Sequence, residues 1–437
     1  MRTVSSDEVA SDELARVGLP ECVQEALGEL AGAAKEGLLA LSVGVGLGVL
    51  HELVEAEVDE VVGPKGQHDP DRRAVRHGHQ GGEVTLGGRR VPVERPRARA
   101  VDGAGEVELR TYRHFAERDA LADVVLERML AGVSTRRYAR TGEPVGEDIE
   151  EVERSTSKSA VSREFVSRTR ENLIALMSRP LGDLRLAVLM LDGIELKGRC
   201  CVVALGIDSD GIKHPLGLWD GSTENATVAT TLLANLIERG LDVEQGVLCV
   251  IDGAKALRKA IRDVLGVHTP VQRCVRHKER NVLNHLPERD RPPIKRRLRA
   301  AWALDDHAAA LERLRGLATE LDRSHPGAAA SLREGLEETL TVTRLGVRGA
   351  LRRTLQSTNP CESMIETVRR TSRNVKRWQN GDMCLRWTAA GMLEAERQFR
   401  RVIGYPKLPT VAVAVERDIT HHTVTDTPAP EVTVTAV

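Results

Sequence analysis

Two short apolar runs, each broken by the same dipeptide, constrain this chain more than any other feature. In AVLMLDGIELKGR the run 187–191 meets Asp192-Gly193, and in GVLCVIDGAKAL the run 247–251 meets Asp252-Gly253. Uninterrupted apolar runs of this length read as strands buried on both faces. A buried strand has no ordinary use for a carboxylate at its tip, so the pair points to one site fed from two strand ends.

The surrounding pattern supplies a sheet for those strands. LRLAVLMLDGIEL and RCCVVALGIDSDG are close enough to form a hairpin, and IKHPLGLW follows a turn at Asp210-Gly211 as a third strand. NATVATTLLANLIERGL then reads as a helix capped by Asn225, GVLCVID as a strand and AKALRKAIRDVLG as a second helix. Three meandering strands, a helix, a strand and a helix make an α/β fold whose mixed sheet is covered by helices. In it the first and fourth strands can be neighbours at the sheet centre, which sets Asp192 beside Asp252.

A chain of 437 residues is too long for one compact core. Residues 1–63 carry helical periodicity. Residues 64–115 turn to Gly, Arg, Pro and alternating Val. There EVTLGGRRVPV predicts a hairpin around Gly87-Gly88, and VDGAGEVELRTY predicts a second pair of short strands. Residues 116–180 return to helix. A short helix after AGVS, an acidic linker, and a second helix opened by residues 155–157 resemble a helix-turn-helix, with Lys158, Ser162 and Arg163 in the first turns of the second helix. The long linker departs from the usual tight turn, and an ordinary capped helical pair is the competing reading. Residues 181–280 form the first part of the core with both Asp, 281–350 an all-α insertion, and 351–403 the last part of the core. The tail, 404–437, shows no core-forming pattern and is expected to be disordered.

The formal net charge of −1 says little, but its distribution says more. Basic residues cluster at 72–99, including Arg89 and Arg90, at 273–299 and at 344–377. Local basic faces on a neutral chain suit nucleic acid better than a membrane surface, and solvated helix faces are the alternative. Seven scattered Cys fit a reducing compartment rather than a disulfide framework. No signal peptide is evident, and the apolar stretch 37–50 falls short of the ~20 residues a bilayer helix needs. A cytoplasmic protein with no membrane partner is expected.

Two carboxylates a few ångströms apart repel unless a cation lies between them. A hard divalent ion, Mg²⁺ or Mn²⁺, takes such oxygen ligands, and two ions about 3.5–4 Å apart can serve phosphodiester chemistry. That chemistry usually needs a third carboxylate, and STNPCESMIETVRR offers Glu362 and Glu366. Each acid also has a plain structural reading. Asp192-Gly193 could be a turn, and Asp252 could cap the helix starting near Ala254. Asn359 reads as an N-cap and Pro360 as a first helical residue, which makes Glu362 a capping-box acid at N3. Glu366 could pair with Arg370.

The order Asp192, Asp252, then Glu362 after a helical insertion resembles the DDE transposases with an RNase H-like core. More closely, the chain resembles the bacterial IS256-type, or Mutator-like, transposase family. LDGIELKG and VIDGAKAL look like its two Asp motifs, QRCVRHKERNV like its Cys-x-x-His motif, and STNPCES like its Thr-Asn-x-x-Glu-Ser motif; RNVKRW and GDMCLRW are similar too. The resemblance implies that Asp192, Asp252 and Glu362 are the catalytic metal ligands, holding two Mg²⁺ or Mn²⁺ ions. It further implies binding to terminal inverted repeats, strand cleavage, and transfer of the freed 3′-hydroxyl into target DNA. A homodimer or larger synaptic complex, nucleoid-associated when bound to DNA, is expected with it. The rivals are another RNase H-fold DNA nuclease and an inactive DNA-binding relic.

Several residues remain outside that scheme. A single Cys-x-x-His, Cys274 and His277, cannot complete a tetrahedral zinc site, and no second pair stands at ligand spacing. His68, His77 and His79 have no neighbouring Cys. Cys274 is expected to pack near the active-site strands. His277, Lys278 and Arg280 open a basic helix and are candidates for DNA phosphate contacts, with a structural role as the alternative. Trp302 is expected in a core, and stacking on an unpaired base is the alternative.

Overall fold

In the computed structural model the described residues are 39–63, 66, 72–86, 89–117, 122–134, 154–155, 158–221, 226–244 and 246–426. They fall into two compact units, one up to Thr169 and one from Arg170 onward. The Gly87-Gly88 turn, the short helix expected after AGVS, the acidic linker at 142–153, the helix start at 156–157, the Asn225 cap, His68 and the side chains of Arg89 and Arg90 lie outside the described residues.

The first unit is built on a long hairpin. Helix α1 (Leu39–Val62) precedes β1 (Ala74–Leu86) and β2 (Arg89–Ala100), which pair antiparallel from Leu86↔Arg89 to Ala74↔Ala100. Residues 39–50 of the apolar stretch 37–50 lie in α1, and no helix among the described residues is long and apolar enough to cross a membrane. Only one short strand, β3 (Glu106–Val107), follows, where two were expected. Residues 110–117 instead form helix α2 (Arg110–Glu117), because Thr111, His114 and Phe115 recur at helical spacing and are buried. The Glu57 carboxylate on α1 accepts the Arg110 and Thr111 N–H groups at 2.8 and 2.9 Å, satisfying two orphan donors at the start of α2. Helix α3 (Ala122–Leu130), strand β4 (Arg154–Ser155), which pairs with β2, and helix α4 (Lys158–Ser178) complete the order; the division between the units falls inside α4.

Part of the basic character of the hairpin is neutralised locally. Arg76 is bound by Glu55 and Asp59 of α1, and Arg97 by Glu106. Lys158 and Arg163 are exposed on α4, whose Val161 and Phe165 are buried.

The second unit carries a five-stranded mixed sheet. Strands β5 (Leu186–Glu195), β6 (Cys200–Asp208) and β7 (Lys213–Gly221) form the antiparallel meander. After helix α5 (Ala226–Glu238), strand β8 (Leu248–Ile251) returns parallel to β5; helix α6 (Lys255–Leu265) then leads to β9 (Val271–Arg273), parallel to β8. The order is β7-β6-β5-β8-β9, so the first and fourth strands of the core are central neighbours. Leu189, Leu191, Cys249 and Ile251 face α5 and α6 in one apolar core with Leu232, Leu236, Leu257 and Ile261. Each fully buried Leu or Ile contributes about 1.5–3 kcal/mol relative to exposure, which locks the register of the two Asp-bearing strands.

Residues 275–355 hold helices and, among the described residues, no strand. They are α7 (Val275–Asn284), α8 (Arg291–Trp302), α9 (His307–Ser324), α10 (Pro326–Arg333), α11 (Thr341–Arg344) and α12 (Gly349–Leu355). Their core includes Val282, Leu298, Leu314, Leu317 and Trp302. Trp302 is buried and its Nε1–H donates to Thr339 Oγ1 at 3.1 Å, so it is a core residue and not a stacking platform. Many cations of the 273–299 and 344–377 clusters are also spoken for. Arg273 pairs with Glu338, Arg299 with Glu279, Arg297 with Glu320 and Arg352 with Asp305.

Helices α13 (Asn359–Thr371), α14 (Gly381–Arg397) and α15 (Leu408–Asp426) follow; α13 and α15 pack on β5, and α14 packs on β7 and α13. The disordered tail expected from 404 does not hold over 408–426. Leu408, Val411 and Val415 are buried at a spacing of one helix face, a pattern that PKLPTVAVAV obscures by its alternation. Residues 427–437 lie outside the described residues.

Candidate active site

The sheet register places the two Asp. Pairing of β5 with β8 runs from Val188↔Leu248 to Leu191↔Ile251, and the next residue on each strand is Asp192 and Asp252. Pairing of β8 with β9 ends at Ile251↔Arg273, and the Cys274 N–H donates to the Ile251 carbonyl at 2.7 Å. Asp192, Asp252 and Cys274 therefore stand in a row at the carboxyl ends of three parallel strands, on the sheet face away from α5 and α6. The mouth left by the carboxyl ends of parallel strands is a favoured ligand position in open α/β sheets.

The strand carrying Asp192 does not stop there. It continues to Glu195, with Asp192 opposite Val203 of β6. The turn reading of Asp192-Gly193 is thereby excluded. What ends at Asp192 is the neighbour: β8 is four residues long and leaves that flank of β5 open. Asp192 itself is buried, and its Oδ1 accepts the Gly193 N–H at 2.9 Å. At Asp252 the chain turns sharply through Gly253, whose φ of 110° favours glycine, and the Asp252 Oδ1 accepts the Ala254 N–H at 2.8 Å. That bond satisfies part of the capping reading of Asp252 and uses only one carboxylate oxygen.

Helix α13 brings Glu362. Its N-cap is Thr358, with Asn359 and Pro360 inside the helix, so Glu362 lies beyond the N3 position expected from the sequence. The capping-box account of Glu362 fails on that register, because N3 is occupied by Cys361. The Thr358 hydroxyl instead donates to Glu362 Oε1 at 3.1 Å. Thr358 is a positioning residue that sequence reasoning passed over; its one signal is its place one turn before the acid. Glu366, a turn further on, is exposed.

His277 closes the group. It is the third residue of α7, whose N-cap is Cys274, and its Nε2 lies 3.7 Å from Glu362 Oε1. Cys274, His277 and Glu362 offer ligand atoms within 4.8 Å of one another, so the fold supplies to the Cys-x-x-His pair a third donor that lies far away in sequence. The Cys274 sulfur first, and then the Asp192 and Asp252 carboxylates, push the His277 imidazole up to about 9. Burial raises the Cys274 thiol, but the His277 ring and the His277 and Thr358 N–H groups more than offset this and leave it below its ordinary value. Asp192 is pushed up to about 7, by burial first and by the Asp252 charge second, with a smaller contribution from Glu362; His277 opposes the rise.

The other candidates of that helix divide. Lys278 is buried and donates to the Ser331 and Glu334 carbonyls at 2.7 and 2.6 Å, so it ties α7 to α10 and is not a DNA contact. Burial pushes its ammonium down to about 8. Arg280 and Arg276 are exposed on the same helix.

The comparisons with known proteins agree in kind. The family model described as "Transposase, Mutator family" matches residues 30–402. The chain is 30% identical over 368 residues to a transposase for insertion sequence element ISRM5 of Rhizobium meliloti, covering 82% of this chain and 88% of that protein. It is 27% identical over 379 residues to the transposase for insertion sequence element IS256 in transposon Tn4001 of Staphylococcus aureus, covering 82% and 92%. A transposase for insertion sequence element IS406 of Burkholderia multivorans is 29% identical over 290 residues, 64% of this chain and 70% of that protein.

Proposed function

The chain belongs to the Mutator family of transposases, and from that premise we propose that Asp192, Asp252 and Glu362 are the metal-holding carboxylates of an RNase H-like core that cuts and rejoins DNA. The observation that carries this reading is the gathering of the three acids at one mouth of the sheet, where burial first and the neighbouring Asp252 second raise Asp192. Such a cluster is costly without a cation, and an all-oxygen donor set suits a hard ion, Mg²⁺ or Mn²⁺. Two such ions, when bound, would stabilise the attacking and leaving oxygens of a phosphodiester displacement.

The chain's own residues supply orientation and charge. The sheet holds Asp192 and Asp252 at fixed register, and Thr358 orients the Glu362 carboxylate. His277, with Nε2 beside Glu362, is placed to donate to a phosphate oxygen entering the cluster, and exposed Arg276 and Arg280 extend the positive surface along α7. Water attack frees a 3′-hydroxyl at the element end, and that hydroxyl attacks target DNA with inversion of roles and no covalent protein intermediate. Residues 1–180 read the terminal inverted repeats through the hairpin, with Arg89 and Arg90, and through Lys158 and Arg163 of α4. Because two ends are joined, the working assembly is a homodimer or larger.

The test is Mg²⁺-dependent nicking and strand transfer on a labelled duplex of the inverted repeats flanking the coding sequence, beside a gel shift on the same DNA. Asp192→Asn, Asp252→Asn and Glu362→Gln should each abolish both reactions and leave binding intact, since affinity comes mainly from phosphate contacts elsewhere. Glu366→Gln should cut normally. Full cleavage by Asp192→Asn would overturn the assignment.

A further inference from the structure

A second cluster of metal-binding atoms lies in the same unit and shares no residue with the carboxylate site. Cys201 on β6 and Cys384 in the first turn of α14 place their sulfurs 3.7 Å apart, and both side chains are fully buried. Asp220 on β7 presents Oδ1 to the Cys201 sulfur at 3.8 Å, while its Oδ2 accepts from Arg199 Nη1 at 3.1 Å. The three residues offer ligand atoms within 4.8 Å of one another.

We propose that Cys201, Cys384 and Asp220 form a zinc site that clamps α14 to the β6–β7 edge of the sheet. Two thiolates about 2.3 Å from a tetrahedral zinc ion stand about 3.8 Å apart, which is the separation the sulfurs already have. The donor set, two sulfurs and one carboxylate oxygen, suits a borderline-soft ion and not Mg²⁺. Arg199 occupies the second carboxylate oxygen as outer partners of metal ligands do, and Oδ1, which otherwise meets the Cys201 thiol, is the oxygen turned to the ion. Gly381 opens room for the carboxylate, since a Cβ there would overlap Asp220 Oδ2. Cys384 lies close to the positive end of α14, which favours a thiolate. Zinc displaces the protons of both thiols into solvent, and water fills the fourth position. The consequence is mechanical: α14 is the helix against which α13, the bearer of Glu362, packs.

The full chain, reduced and stripped of metal, is titrated with Co²⁺ as an optical probe. The expected result is a thiolate-to-cobalt charge-transfer band saturating at one equivalent, lost on adding Zn²⁺, with Zn²⁺ also raising the melting temperature. Cys201→Ala and Cys384→Ala should each weaken or remove the band. Cys274→Ala should leave it unchanged, which separates this site from the Cys274–His277–Glu362 group. Asp220→Asn keeps both thiols and the packing, and should weaken Co²⁺ binding about tenfold or more. No band in the unsubstituted chain, a band lost only in Cys274→Ala, or a band unchanged in both Cys201→Ala and Cys384→Ala would each overturn the proposal.

Discussion

Asp192 shows how one side chain can record the demands of its site. In the metal-free chain it holds its proton up to about 7, against 3.8 ordinarily, because burial and Asp252 both oppose its charge. An acid raised on folding binds more protons in the folded state than in the unfolded state between those two values. Stability of the metal-free protein therefore falls as pH rises through that window, and the full penalty is present above it. Asp192→Asn removes the penalty, so the metal-free variant should melt several degrees above the parent at pH 8 and show no such gain near pH 3.5. A gain of equal size at both pH values would contradict the cause given. Thr358 has a complementary role. Thr358→Val deletes the hydroxyl on Glu362 and should slow cleavage about tenfold, with end binding unchanged and activity restored by Thr358→Ser. Equal losses in the Val and Ser variants would make Thr358 a packing residue only.

The placement of Glu362 depends on how one helix sits against another. Gly391 of α14 lies against α13 so closely that a Cβ would come within 2.8 Å of Val368 Cα. Backbone cannot yield as a flexible side chain can, so Gly391→Val must push the helices apart. The expected outcome is a loss of about one to three kcal/mol of stability, read as a lower melting temperature, and loss of cleavage with retention of the gel shift. Cleavage at the parental rate would mean that α13 is held by the sheet alone. On the other side of the site, Gln272 of β9 performs the equivalent service. Its Nε2 donates to the Arg273 and Thr339 carbonyls, and its Oε1 accepts the Val342 N–H, which fixes the helical block to the strand before Cys274.

The chain falls into two compact units, and the proposed DNA contacts fall on both. Lys158 and Arg163 are exposed on α4, whereas Lys278 is committed to two carbonyls. Each phosphate contact steepens the dependence of affinity on salt by about one in log–log slope. The double variant Lys158→Ala, Arg163→Ala should therefore bind the terminal repeats more weakly, with a slope shallower by about two. Measured by the same titration, Lys278→Met should leave the slope unchanged. A slope unaltered by the double variant would remove α4 from the DNA interface.

The apolar runs around Asp192 and Asp252, their Asp-Gly breaks and the helices between them were legible from residue order, because burial on both faces imposes an unbroken apolar run and a meander imposes short turns. Residue order alone left Glu362 and Glu366 both open, and the choice of Glu362 came from the resemblance of STNPCES to the family's motif. Three things were not legible. The capping register of α13 placed Thr358, not Asn359, at the boundary, and with it came the hydroxyl that orients Glu362. The fate of the cations was hidden as well, since Lys278, Arg273 and Arg299 look alike in sequence and differ only in the carbonyl or carboxylate that the fold brings to each. The pairing of Cys201 with Cys384 joins a strand to a helix remote along the chain, and no spacing rule reaches that far. Local pattern reports which residues must be buried and in what period; which buried groups meet is decided by the closure of the sheet and by the helices that pack over its face.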